Sequence, residues 1–108
     1  MFNIDSKNKI TLVRGDTAVF TLALSDYALK SGDQVKLTVK FSASDSRALI
    51  SKTITEFTDG KAVFEFLEED TKGLDAGDYL YEIECRLKDG RIDTVIVATP
   101  FTLIADLG

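Results

Sequence analysis

The run Leu74–Val97, LDAGDYLYEIECRLKDGRIDTVIV, decides the fold. It reads as a turn, a long strand, an Asp89-Gly90 loop and a second long strand. Asp-Gly between alternating apolar runs predicts a two-residue hairpin loop, because both residues tolerate φ > 0 and match the twist of the flanking strands. With Asp89 and Gly90 as the whole loop, Lys88 faces Arg91 and the later pairs follow. Leu87 meets Ile92, Cys85 meets Thr94, Ile83 meets Ile96 and Tyr81 meets Ala98 on the inward face. Arg86 meets Asp93, Glu84 meets Val95 and Glu82 meets Val97 on the outward face. An opposite-charge pair such as Arg86–Asp93 is worth only roughly 0.2–1 kcal/mol, but it agrees with this register. Leu80, Val95 and Val97 then lie among the outward charges, and these three are the candidate interface.

The flanking sequence repeats the pattern. Gln34–Phe41 alternates, with Val35, Leu37, Val39 and Phe41 facing one way and Lys36, Thr38 and Lys40 the other. Ile10–Val13 is a short apolar run ending at the turn Arg14-Gly15-Asp16. Thr17–Leu24 then places Ala18, Phe20, Leu22 and Leu24 on one side. Ser25–Asp33 and Ser42–Arg47 read as polar loops. Leu49–Phe57 is a weaker strand in which Leu49/Phe57 and Ile50/Ile54 compete for the inward face. Asp59-Gly60 marks a second hairpin-type turn into Lys61–Leu67, and the acidic start of Leu67–Leu74 suits one helical turn. Pro100 cannot donate to a ladder, so an edge or a bulge is expected there, before a last run Phe101–Ala105. Seven or eight short strands at spacings of roughly ten residues, with at most one short helical turn, predict an all-β, immunoglobulin-like antiparallel β-sandwich. A single domain covers residues 1–108. In that architecture the third strand lies beside the first strand of the hairpin, which sets Lys36 and Lys40 on the same outer face as Glu82 and Glu84.

Composition narrows the function. The chain of 108 residues is 44% hydrophobic and 29% charged, ordinary values for a folded domain. A net charge of −5 argues against nucleic acid as a partner. Residues 1–55 carry eight Lys/Arg against five Asp/Glu, and residues 56–93 carry five against twelve. That asymmetry allows complementary contact between copies or with partners. The longest apolar runs are too short for a membrane span, and the N-terminus lacks the layout of a signal peptide, so synthesis in the cytoplasm is expected.

There is no histidine, which excludes Ser-His-Asp and Cys-His catalysis and histidine metal sites. Cys85, the one cysteine, falls on the inward parity between Ile83 and Leu87 and is expected to be a buried, inert thiol. Glu65, Glu68, Glu69 and Asp70 lack the spacing of a calcium loop, and Glu82 and Glu84 are accounted for as outer-face residues. Gly-Asp at a strand-to-strand turn accounts for the tripeptide Arg14-Gly15-Asp16. No catalytic residue, cofactor, metal or small-molecule substrate is expected.

Three longer runs carry a family likeness: ITLVRGDTAVFTLAL (10–24), VKLTVKF (35–41) and DTKGLDAGDYLYEIECRLKDGRIDTVIVATPFTLIAD (70–106). Arg14-Gly15-Asp16-Thr17 enters the second strand, and Leu74, Gly77, Tyr79, Tyr81 and Ile83 precede the Asp-Gly hairpin. The pattern is similar to small immunoglobulin-like structural proteins of phages and prophages of Gram-positive bacteria, and it resembles the N-terminal domain of the phage baseplate upper protein. Asp75–Tyr81 also resembles a tyrosine corner, in which Tyr79 bonds back to upstream backbone. The resemblance implies a non-enzymatic virion component of tail or baseplate type, partnered by other phage structural proteins or by copies of itself. A ligand-binding or adhesive β-sandwich module of a bacterial surface protein is the alternative. Tyr79, Asp89 and Gly90 are structural residues on this reading.

Overall fold

Alternation in sequence becomes alternation in burial. In β4 (Gln34–Lys40) Val35, Leu37 and Val39 are fully buried, while Gln34 and Lys36 are exposed. The same rule shapes β3 (Ala18–Leu22), which buries Ala18 and Phe20, and β6 (Ala62–Phe66), which buries Ala62, Phe64 and Phe66. The computed structural model describes residues 1–107 and contains eight strands and one short helix. The remaining elements are β1 (Phe2–Ile4), β2 (Ile10–Val13), β5 (Ile50–Ile54), α1 (Glu68–Lys72), β7 (Gly77–Arg86) and β8 (Ile92–Ile104).

The strands form a six-stranded sheet of order β1-β2-β8-β7-β4-β5, faced by the two-stranded sheet β3-β6. With β4 beside β7 and β7 beside β8, this is the strand order of one immunoglobulin-type sheet, so the chain is an immunoglobulin-like β-sandwich. It is not wholly antiparallel, because β2 runs parallel to β8, Ile10 pairing with Phe101 and Val13 with Ile104. Among the described residues no backbone ladder joins the two sheets. Side chains join them: Phe20 of β3 stacks on Phe2 of β1 at 6.2 Å between centroids, and Phe66 of β6 tilts against Phe101 of β8 at 5.7 Å.

The hairpin departs from its expected register at both ends. Leu87 pairs with Arg91, and the Gly90 amide donates to the Leu87 carbonyl at 2.9 Å, which makes a three-residue loop of Lys88, Asp89 and Gly90. Gly90 alone takes the left-handed conformation, at φ 96°. This is a type I turn closed by a glycine bulge. A buried carboxylate explains the difference: Asp33 Oδ1 accepts the Lys88 amide at 2.8 Å, and a two-residue loop would direct that amide to Arg91 instead. Further along, Ile83 still faces Ile96, but Glu84 faces Thr94 and Tyr81 faces Thr99. Two bulges in β8 produce these shifts, one at Val95 and one where Val97 and Ala98 together oppose Glu82. The expected turn does form at the other Asp-Gly. Asp59 and Gly60 both have positive φ, 52° and 74°, and Thr58 and Lys61 exchange both backbone bonds. That turn carries the chain from β5 in one sheet to β6 in the other.

Three local expectations need correction or completion. Phe41 is 66% exposed because β4 ends at Lys40, and it rests edge-on against Tyr79 at 6.1 Å. Pro100 does not break β8; it pairs with Leu80 immediately before β2 begins to cover the strand at Phe101. In β5 the Ile50/Ile54 parity is the inward one, and Lys52 on that face reaches Asp70 of α1 at 2.7 Å. Asp70 also accepts the Leu67 amide at 2.7 Å, closing the first turn of the helix.

Tyr79 is buried, and its hydroxyl donates to the Asp75 carbonyl at 2.6 Å, the upstream bond of a tyrosine corner. Tyr79→Phe is expected to cost about 1 kcal/mol, the net worth of one such bond, measurable by urea unfolding. An unchanged midpoint would make the corner decorative.

Candidate functional site

The six-stranded sheet turns one face away from the small sheet, and the rows on that outer face are set by strand pairing. Lys36 lies directly opposite Glu84, Thr38 opposite Glu82 and Lys40 opposite Leu80. On the far side of β4, Thr38 pairs with Ser51 and Lys36 with Thr53, both exposed on β5. Glu84 is held by Arg86 of its own strand, Nε to Oε1 at 2.7 Å.

The three candidate interface residues separate here. Leu80 is half-buried in the middle of this face, and Val97 is 67% exposed at the second bulge. Val95 is instead half-buried and packed against the core. The bulge at Val95 reverses the alternation that placed it outside, so the expected grouping of Leu80, Val95 and Val97 on one surface is corrected. Val97→Asp is expected to change stability by less than about 0.5 kcal/mol, and Val95→Asp to cost about 2–3 kcal/mol by placing a carboxylate against apolar side chains. Thermal unfolding of the two variants checks this; equal midpoints would overturn the assigned facing.

Val95 lines a groove of about 840 Å³ at the flank of the sandwich, with Leu22, Leu24, Tyr27, Leu87 and Ile96. The groove exists because β2 covers only the second half of β8, from Phe101 onward. Beside it sits a group of residues that sequence reading missed. Asp33, 1% exposed, accepts the Lys88 amide, the Lys30 amide at 3.0 Å and the Tyr27 hydroxyl at 2.9 Å. Burial pushes the Asp33 carboxyl up, but these donors outweigh it and hold the group below the usual carboxylate range. Lys30 Nζ donates to the Tyr27 hydroxyl at 2.8 Å, which raises the Lys30 pKa. The signal in the sequence was slight: Tyr27 and Leu29 interrupt an otherwise polar loop.

The other chemically suggestive residues are tied into the fold. Cys85 is fully buried, and burial, with Asp93 the foremost neighbouring charge, pushes its thiol up to about 11. Arg14 donates to Asp106 at 2.9 Å and to the Lys72 carbonyl at 2.7 Å, and the Gly15 amide donates to the buried Thr71 hydroxyl at 2.8 Å. Lys72 also reaches Asp106 at 2.8 Å, and this bond leads the causes that lower the Asp106 pKa. The Arg14-Gly15-Asp16 turn thus fastens α1 to the end of β8. Asp89 accepts the Arg91 amide at 3.0 Å and its Nε at 2.8 Å, which stiffens the hairpin tip and lowers the Asp89 pKa, the amide bond leading. Among the described residues no three Cys, Asp or Glu side chains converge on a possible metal position.

No protein-family model matches the chain, and no curated protein matches it. Among solved structures it is similar to part of a proposed glycoside hydrolase from Bacteroides vulgatus, at 14% identity and a TM-score of 0.45. The likeness covers 89% of this chain and 16% of that one. Similarity this slight carries no argument about activity.

Proposed function

We propose that this chain is a non-enzymatic structural protein of a phage or prophage virion, of tail or baseplate type, working by protein–protein packing. On this reading it is made in the bacterial cytoplasm and assembles with other phage structural proteins or with copies of itself. The observation that carries the reading is the outer face of the six-stranded sheet, where oppositely charged rows on β4 and β7 lie between uncharged positions on β5 and β8. Such a face suits packing against another folded surface. The sequence likeness over residues 10–24, 35–41 and 70–106 supports the virion context. The burial of Cys85 and the commitment of Arg14 and Asp33 to structural bonds support the non-enzymatic part.

Particles purified after induction of the host prophage test the proposal. The chain is expected in them by mass spectrometry, and deleting its gene should leave particles with defective tails. Complete, infectious particles without the chain would overturn it. The groove beside Val95 favours the second reading, a ligand-binding or adhesive module. Leu24→Arg, in the groove lining, would then abolish ligand binding or adhesion by the surface protein that carries this module, and an unchanged affinity would remove the groove from that reading.

A further inference from the structure

We infer that two copies of this chain pair face to face through the outer surface of the six-stranded sheet, about a two-fold axis parallel to the strands and midway between β4 and β7. The inference rests on the packing role proposed above and names the partner.

The outward residues of β4 are Gln34, Lys36, Thr38 and Lys40, a row of charge +2. Those of β7 are Asp78, Leu80, Glu82, Glu84 and Arg86, a row of charge −2. An isologous interface must be complementary to itself. A two-fold axis along the strands lays each β4 over its partner's β7 and keeps residues at their own height. Lys36 of one copy then lies over Glu84 of the other, and Lys40 lies over Leu80 and diagonal to Glu82. An in-plane axis across the strands would lay β4 on β4 and β7 on β7, setting like charges together. The flanking strands follow the first arrangement. β8 of one copy lies over β5 of the other, so Val97 and Ala98 sit over Ser51, and Thr94 over Thr53. Those five positions carry no charge on either side, and Ser51 and Ala98 are small enough to admit Val97. Sheets packed face to face keep their strands within about 30° of each other, so central rows stay matched despite twist.

Size sets the strength. Four strands about 4.8 Å apart and about 24 Å long give a projected face of roughly 450 Å² per copy. That is below the roughly 800 Å² per partner of a standard stable interface. The dimer is therefore weak and depends on its charges.

Light scattering and sedimentation equilibrium test it. Wild-type chain is expected to dimerise at about 25 mM salt and to dissociate at about 500 mM, where charges are screened within a few ångströms. Lys36→Glu with Lys40→Glu should weaken association by on the order of 100-fold, as should Glu82→Lys with Glu84→Lys. Mixed in equal amounts, these two variants should form a heterodimer, because every facing row is then opposite in sign. Ser51→Arg, at an exposed edge-strand position, provides a second disruption that leaves both charge rows intact, and circular dichroism checks the fold of each variant. A wild-type monomer at millimolar concentration and low salt, a dimer that survives the charge reversals, or a mixture that stays monomeric would overturn the inference. None of these results touches virion incorporation, which is read separately from purified particles.

Discussion

Phe64→Ala is expected to cost about 4 kcal/mol, within the range for a buried aromatic, and to lower the thermal midpoint by on the order of 20 °C. The ring is fully buried and stacks on Phe20, which stacks in turn on Phe66 at 6.4 Å and Phe2 at 6.2 Å. Among the described residues β3 and β6 form a backbone ladder only with each other, so the contacts of this aromatic cluster with Phe2 and Phe101 hold the small sheet onto the large one. Losing the Phe64 ring removes apolar burial, takes away the stacking partner of Phe20 and leaves a cavity in the core. Against a typical domain stability of about 5–15 kcal/mol, the variant is left marginal. Val63→Ala, one residue away on the opposite face and 39% exposed in the parent chain, should cost less than about 0.5 kcal/mol. Urea unfolding separates the two, and similar losses would mean that the sheets are not joined as described.

Asp33→Ala should cost about 3 kcal/mol, because it strips the partner from two backbone amides and a hydroxyl at once, at roughly 1 kcal/mol or more each. Asp33→Asn keeps one acceptor oxygen but turns an amide toward groups that are themselves donors, so about half that loss is expected. The pH dependence follows from the direction of the shift. The folded-state pKa of Asp33 is lowered, so its contribution is complete above the unfolded value of about 3.9. It is lost as the pH falls through the lower folded value. The stability gap between wild type and Asp33→Asn should therefore hold steady from about pH 7 to pH 5 and shrink below about pH 4. A gap that persists undiminished to pH 2 would show that the folded state gains nothing from the ionised carboxylate.

The same residue shows where sequence reading stops. Asp33 sits in a loop whose composition gives no reason to bury a carboxylate, and its partner Lys88 lies 55 residues away. Nothing local could have shown that the Lys88 amide was taken. Yet that bond accompanies the three-residue hairpin loop, and the two bulges beyond it turn Val95 inward while leaving Val97 out. By contrast the inward sets Val35/Leu37/Val39 and Phe64/Phe66, the tyrosine-corner position of Tyr79 and the outward row of Lys36, Lys40, Glu82 and Glu84 were all legible. Each depends on period-two alternation or on a contact within a few residues. The candidate interface was half legible: Leu80 and Val97 belong to the outer side, and Val95 does not.

The sequence did not show β1 and split β8 into two runs at Pro100, but by itself it determined that the chain is a β-sandwich, where β2 to β7 lie and which face of most of them is wet. Those properties come from alternation along one strand, where each residue's side follows from its neighbours'. Only the tertiary structure decided the register of β7 against β8, the parallel pairing of β2 with β8 and the use of β5 as an edge strand. These depend on groups brought together from distant parts of the chain. Asp-Gly makes the point: Asp59-Gly60 forms the two-residue turn its chemistry favours, and Asp89-Gly90 does not. A turn preference is worth about 1 kcal/mol, and a buried carboxylate that claims the neighbouring amide is worth more.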